Sequence, residues 1–283
     1  MKNPVKTLDV HMGTDGQNFS CQACHTTENH DIKGNAMVVS PGGKNHITCT
    51  DCHDQQPHSE NLLNSHMAKV ACQTCHIPEF AKEMPTKLAW DWSTAGQEKV
   101  EAETDENGKG TYHKKKGNFI WGKDVVPTYA WYNGTGGAYL PGDKIDPSKT
   151  TKLSWPEGDK NDKNAKIFPF KVHQGKQIYD TKYSYLITPK VFGKKSDPDA
   201  YWVNYDWKKA SAAGMKATGL AFSGEYSFAP TEMYWRINHM VVPADKALGC
   251  LDCHGDNGRM DWKALGYQGD PMDNPEFVRT SRK

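Results

Sequence analysis

The chain has 283 residues, of which 36% are hydrophobic, and its mean hydropathy is −0.79. Its formal net charge is +1, with 35 basic and 34 acidic side chains, so the charge balance gives no indication of a nucleic-acid partner. A membrane span is not expected, because no run of about 18 apolar residues occurs.

The chain begins MKNPVKTLDV, which lacks the apolar core of a secretory signal peptide. Its cysteines then follow one pattern. All eight fall into four C-x-x-C pairs, and a histidine follows each pair: CQACH, CTDCH, CQTCH and CLDCH. C-x-x-C-H is the attachment signature of c-type haem, in which both cysteines form thioether bonds to the porphyrin and the histidine binds the iron.

Other readings of the cysteines explain less. A zinc ribbon needs no histidine after both pairs, a thioredoxin-like motif is expected once, and disulfides would leave the four histidines unexplained. The sequence therefore predicts four covalently bound haem c groups with their iron. The attachment residues are Cys21, Cys24, Cys49, Cys52, Cys72, Cys75, Cys250 and Cys253, and the proximal ligands are His25, His53, His76 and His254.

Attachment of c-type haem takes place outside the cytoplasm, so we expect an exported protein, periplasmic or extracellular. The numbering then begins after processing, or the chain is part of a longer precursor. Because aliphatic residues are few, we also expect porphyrin to form much of the core.

The spacing of the motifs predicts three segments. Residues 1–84 carry three motifs and form a tri-haem segment. Residues 85–230 form a haem-poor insert rich in Trp, Tyr and Gly, in which turn signals favour short strands and hairpins, with one helix in YDWKKASAAGMKATGL. Residues 231–283 return with the fourth motif. The predicted fold is a multihaem cytochrome c, mostly short α-helices and irregular loops around the haems, with a loop and short-strand insert.

Each iron has a second axial position, and eight further histidines could fill it. Four lie upstream of a motif and are favoured as distal ligands: His11, His46, His66 and His239. Two others, His30 and His58, each follow a proximal histidine by five residues and are alternates or hydrogen-bonding neighbours of a ligand. For His113 and His173, alone in the insert, a role outside ligation is favoured. Met12, Met67 and Met240 are rival ligands, although packing on a porphyrin is the simpler role.

Several stretches resemble one family well beyond the haem motifs. LDVHMG, CQACHTTENHDIKG, NSHMAKVACQTCHIPEFAK, IFPFKVHQGKQIYD and MYWRINHMVVPADKALGCLDCHG are similar to the octahaem c-type cytochromes of the tetrathionate-reductase family, distant relatives of hydroxylamine oxidoreductase. The resemblance covers the C-terminal, four-haem part of the family pattern. It implies that the catalytic haem, with its lysine ligand, belongs to an N-terminal region with four more haems. The haems of the present part would be mostly bis-histidine and would pass electrons.

Two functions follow. The chain is an electron carrier with four closely packed low-spin haems, or it is part of a multihaem reductase acting on tetrathionate or small nitrogen oxyanions. Because haem catalysis needs an open or displaceable axial site, the supply of histidines favours the carrier. The expected partners are other redox proteins or multihaem cytochromes, a second chain carrying the missing haems, or further copies stacked end to end.

Overall fold

The computed structural model describes residues 3–34, 39, 41, 45–98 and 103–274. Their largest element is a nine-stranded mixed sheet, and a separate two-stranded hairpin, β1 and β2, lies near the N-terminus. The strands are β1 Thr27–Glu28, β2 Asp31–Ile32, β3 Thr86–Asp91, β4 Tyr112–His113, β5 Gly117–Gly122, β6 Thr128–Tyr132, β7 Gly136–Ala138, β8 Thr151–Pro156, β9 Lys166–Asp180, β10 Tyr185–Leu186 and β11 Tyr226–Arg236. The α-helices are α1 Cys21–Cys24, α2 Asn61–His66, α3 Cys72–His76, α4 Tyr201–Asn204, α5 Trp207–Thr218 and α6 Cys250–Cys253.

Strand β9 is the centre of the large sheet. Antiparallel β11 pairs with it from Phe170 to Asp180, while antiparallel β6, parallel β3 and antiparallel β10 pair with it at successive positions. The main strand order is β4-β5-β3-β9-β11-β8-β7, in which β3–β9 and β11–β8 are the parallel pairs. Pro169, which has no amide hydrogen, lies one residue beyond the β11 ladder, where a missing donor is tolerated.

The predicted helix in the insert is present as α5. Asp206 caps its first turn by accepting a hydrogen bond from the Lys209 amide (3.0 Å), and Gly219 ends it in the left-handed conformation (φ 74°). Its buried residues recur at helical spacing: Trp207, Ala210, Ser211, Gly214 and Met215. Trp207, Ala210 and Met215 pack in one apolar cluster with Ile178 of β9.

The predicted balance of helix and strand needs correction. The sequence predicts mostly short helices and loops, with short strands in the insert, but the sheet contains a 15-residue strand and an 11-residue strand. Strand β11 also runs from the predicted insert into the predicted returning segment, across residue 230. The division into three segments remains a prediction.

The sheet anchors the third haem motif directly. Ile167 of β9 accepts hydrogen bonds from the Ala71 amide (3.0 Å) and the buried Thr74 hydroxyl (2.8 Å), and its own amide donates to Lys69 (2.7 Å). The fourth motif is tied to the third, because the Leu248 amide donates to the Cys75 carbonyl (3.0 Å). The sheet therefore holds the third motif directly and the fourth motif through the third, although the two motifs are far apart in sequence.

Candidate haem-binding site

Each haem motif begins a short helical turn at its first cysteine. Three motifs form α1, α3 and α6, and the second forms a 3-10 turn, Cys49–Asp51. Residues three apart lie on one face of a helical turn, so both cysteines of a pair can reach the same edge of a porphyrin. None of the eight cysteines forms a disulfide, so each remains available for a thioether bond to a haem.

Every proximal histidine faces one other histidine. The ring centres of His11 and His53 are 6.0 Å apart, and those of His25 and His239 are 6.1 Å apart. The His58 and His76 rings are 6.0 Å apart, and the His66 and His254 rings 6.5 Å apart. The angle between ring planes varies from 4° to 74°, so the common feature is the separation and not a stacking geometry.

These separations fit a metal ion between the two rings. A bond of roughly 2 Å from each imidazole nitrogen to the ion, extended by about 1 Å to each ring centre, gives roughly 6 Å in total. Within the described residues, no group of three or more His, Cys, Asp or Glu side chains could hold an additional ion. The ring separation suits two imidazoles that bind one metal ion from opposite sides.

Burial in the N-terminal part also fits a large apolar cofactor. Among the described residues from 14 to 70, Val39 is the only buried one. Apolar side chains beside the paired histidines are exposed, among them Phe19 (44%), Leu62 (54%) and Leu63 (43%). A segment of this length does not fold without burying apolar surface, so porphyrin rings fit the missing core.

Hydrogen bonds at Nδ1 orient several of these rings. His25 Nδ1 lies 2.8 Å from the Lys33 carbonyl, and His66 Nδ1 lies 2.9 Å from the Leu62 carbonyl in its own helix. His254 Nδ1 lies 2.6 Å from the Asp270 carboxylate. A partner at Nδ1 places the hydrogen there and leaves Nε2 free to bind a metal ion.

Burial favours the neutral form of two of these histidines. It lowers the pKa of His76, with a smaller contribution from His58 and then His53. Burial likewise lowers the pKa of His239. Both rings are therefore held in the neutral form, which is the form that coordinates a metal ion.

The sequence-predicted distal residues divide into two groups. His11, His66 and His239 lie opposite proximal histidines, and so does His58, one of the two alternates. His46, a favoured candidate, lies elsewhere: its Nε2 is 2.8 Å from the Gly134 carbonyl and its Nδ1 is 2.9 Å from Arg236 Nη1. With both ring nitrogens engaged, His46 has none left for iron.

The remaining histidines lie away from the motifs. His30 is exposed at the tip of the β1–β2 hairpin, His113 is in β4 and His173 is in β9. No signal in the sequence separates His58 from His30, since both follow a proximal histidine by five residues.

Cysteine contacts place neighbouring motifs side by side. A hydrogen bond between the Cys49 and Cys72 side chains raises the pKa of Cys49 and so joins the second motif to the third. Burial and then Cys72 and Cys250 raise the pKa of Cys75, so the third motif lies beside the fourth. Burial and then Cys52 raise the pKa of Cys24. Consecutive motifs are therefore neighbours in space.

The comparison with known families agrees with this site. The model of the family described as "Cytochrome c bacterial" matches residues 87–257, which is more than half of the chain. The chain belongs to this family. Members of a c-type cytochrome family hold haem covalently, so the chain is a multihaem c-type cytochrome.

Two individual proteins are also similar. The crystal structure of an octaheme cytochrome c from Shewanella oneidensis matches with a TM-score of 0.89 and 60% identity, over 96% of this chain and 62% of that one. Cytochrome c-type protein NrfB from Escherichia coli is 34% identical over 73 residues, which is 21% of this chain and 39% of that protein. The chain spans less than two thirds of the length of either relative. No helix in the described residues is long and apolar enough to cross a membrane.

Proposed function

We propose that this chain carries electrons along four covalently bound, low-spin haem c groups. The observation that carries the proposal is the pairing of all four proximal histidines with a second histidine, at ring separations of 6.0–6.5 Å. A pair of imidazoles fills both axial positions and leaves none for a substrate. Closed axial positions suit electron transfer and not catalysis at iron.

The roles of the residues follow from their positions. Each C-x-x-C pair would attach one haem, and the following histidine would supply the proximal nitrogen. The distal nitrogens would come from His11, His58, His66 and His239. When bound, a haem supplies an iron that gains or loses one electron. The chain's contribution is to hold the ligand rings in place and to bring consecutive motifs together.

A second candidate function rests on the length of a relative. The octaheme cytochrome c from Shewanella oneidensis is longer than this chain, which covers 62% of it. The chain could therefore be the electron-delivering part of a larger reductase for tetrathionate or small nitrogen oxyanions, as the family resemblance implies. Its substrate would then react at a haem held outside the present sequence.

Location and partners follow from the same proposal. Covalent haem attachment takes place outside the cytoplasm, which supports a periplasmic or extracellular protein. Its partners would be other redox proteins, a second multihaem chain, or further copies in an end-to-end stack.

A turnover assay tests whether the four irons of this chain are closed to substrate. Reduced viologen is mixed with the purified haem-loaded chain and with tetrathionate, nitrite or hydroxylamine in turn, and free haem peptide serves as the control. We expect rapid electron exchange with the dye but no more than trace oxidation of it by any of the three compounds. Sustained turnover well above the haem peptide would contradict closed axial positions.

A further inference from the structure

The fourth motif differs from the other three in the hydrogen-bond partner of its proximal histidine. His254 Nδ1 is 2.6 Å from Oδ1 of Asp270, and the side chain of this aspartate is only 8% exposed. The stacked ring of Trp262, 5.1 Å from the His254 ring centre, covers the imidazole. A proximal histidine and a carboxylate therefore form a hydrogen-bonded pair largely sheltered from water.

Backbone amides hold Asp270 in this position. The Gly255 amide donates to Oδ2 (2.6 Å), and the Met272 amide donates to Oδ1 (2.9 Å) at the start of a short 3-10 turn, Pro271–Asp273. The carboxylate thus accepts three hydrogen bonds and has little freedom to move away from the ring. An ionised carboxylate is the usual state of aspartate at neutral pH.

Where the structure gives other ligand rings a partner at Nδ1, that partner is neutral. His25 pairs with the carbonyl of Lys33 and His66 with the carbonyl of Leu62. Asp9 lies near His11, but its carboxylate is 4.0 Å from Nδ1, which is beyond hydrogen-bonding distance. Among the described residues, the fourth motif alone combines a proximal histidine with a directly bonded carboxylate.

We infer that Asp270 is a positioning residue that lowers the reduction potential of the haem attached at Cys250 and Cys253, relative to the other three. The inference rests on the proposed function, because it concerns the potential of an iron bound by His254. A carboxylate that accepts the Nδ1 hydrogen makes the imidazole more basic. A more basic ligand and a nearby negative charge both favour ferric over ferrous iron. The reaction is the gain of one electron by ferric iron, and the proton stays on Nδ1.

The consequence is a direction of electron transfer between the third and fourth motifs, which are adjacent because the Leu248 amide donates to the Cys75 carbonyl (3.0 Å). A low-potential haem at the fourth motif makes that haem the electron donor and the haem at the third motif the acceptor.

The test replaces Asp270 by Asn, which keeps the size of the side chain and an acceptor oxygen but removes the charge. At a fixed applied potential, we expect the ferrous-to-ferric ratio of the fourth haem to rise at least about tenfold, which is about 59 mV for a one-electron couple. A His66→Ala background marks that haem, since loss of its distal ligand makes it high-spin. A redox titration followed by EPR then gives its potential separately.

Two controls make the result specific. Asp206→Asn removes the same charge from a capping aspartate at α5, where Asn caps equally well, and should leave all four potentials unchanged. The His58→Ala chain marks the third haem, which should titrate at a higher potential than the fourth does in His66→Ala. This second comparison holds even if Asp270→Asn does not fold.

The outcomes distinguish a failure of the proposed function from a failure of the inference about Asp270. If neither His66→Ala nor His58→Ala yields a high-spin haem, the ligand assignment of the proposed function fails. If both do, but Asp270→Asn leaves the potential of the fourth haem unchanged, Asp270 is a structural cap and only the present inference fails. A fourth haem that titrates above the third would also overturn it.

Discussion

At the scale of single residues, the paired histidines give the most specific prediction. His58→Ala and His66→Ala should each open one axial position, because each removes a ring opposite a proximal histidine. We expect one high-spin haem per chain in each variant and stoichiometric binding of carbon monoxide to the reduced protein. Visible absorption during titration with carbon monoxide measures both effects.

His30→Ala is the matched control, since His30 has the same spacing from a motif as His58. It should leave every haem low-spin and bind no carbon monoxide. Carbon monoxide binding by His30→Ala, together with none by His58→Ala, would reverse the assignment of the two histidines.

The local backbone conformation explains why spacing from a haem motif does not distinguish His30 from His58. Asn29 and His30 both have positive φ (48° and 65°) in the two-residue turn between β1 and β2, so His30 lies at an exposed hairpin tip. His58 is instead held to α2, because Asn64 accepts from its amide (3.0 Å) and donates to its carbonyl (2.7 Å). These contacts depend on the fold of each segment and do not follow from the histidine spacing.

The position of His46 depends on distant residues. It lies upstream of a motif as His11, His66 and His239 do, which made it a favoured distal ligand. Its partners, Gly134 and Arg236, are 88 and 190 residues away in sequence. Contacts across such separations depend on the tertiary fold. The sequence pattern therefore predicts that His11, His66 and His239 lie opposite proximal histidines, but it does not reveal that His46 lies elsewhere.

His173 should make the stability of the sheet depend on pH. Burial, and then Lys171 and Lys87, lower its pKa to about 4 from an ordinary value of 6.5. Because the folded state disfavours the protonated ring, stability is complete above pH 6.5 and is lost as the pH falls toward 4. After allowance for partial exposure, the loss is about 1–2 kcal/mol.

The measurement is urea unfolding followed by circular dichroism at pH 7 and pH 4.5 (roughly the window over which the ring charges in the unfolded chain only). His173→Gln should lose less stability over this interval than the wild type. His113→Gln, at an exposed position of β4, should behave like the wild type. Equal losses for all three proteins would show that His173 has no such role.

At the scale of elements, Gly214 decides how closely α5 approaches the chain beside it. A Cβ at this position would overlap the carbonyl oxygen of Thr188 and lie 2.8 Å from the Lys190 amide nitrogen. Alanine is the better helix former, yet Gly214→Ala should destabilise the protein by about 2–4 kcal/mol because backbone atoms cannot move aside.

Urea unfolding measures the effect, with Ala217→Gly at an exposed position of the same helix as the control. That change should cost about 1 kcal/mol through helix propensity alone. A Gly214→Ala protein as stable as the wild type would mean that α5 does not pack as closely as described.

Helix α5 was predictable and the extent of the sheet was not. The helix has local signals, namely Asp206 at its start, Gly219 after its end and apolar residues at helical spacing. Strand β9 carries Pro169 and Gly175, which locally weaken a strand pattern, and its partner β11 begins 46 residues after β9 ends. The parallel pairs β3–β9 and β11–β8 likewise join strands distant in sequence, which no local pattern reveals.

At the scale of the whole molecule, the sheet and the haem motifs differ in how much side-chain core they contribute. The sheet supplies most of the side-chain core, while the described residues from 14 to 70 bury almost nothing of their own. Removal of haem should therefore unfold the N-terminal part and leave the sheet largely intact. The four motifs are recognisable in the sequence because haem attachment depends on a short local pattern, and the proximal ligands remain a prediction.

The central claim is that all four irons have two histidine ligands, and a low-temperature EPR spectrum of the oxidised, haem-loaded chain tests it most directly. The account predicts only low-spin ferric signals, whose total intensity equals four haems per chain, and no high-spin signal. A high-spin signal of about one haem per chain would contradict the account, because one histidine pair would then leave its iron open to substrate.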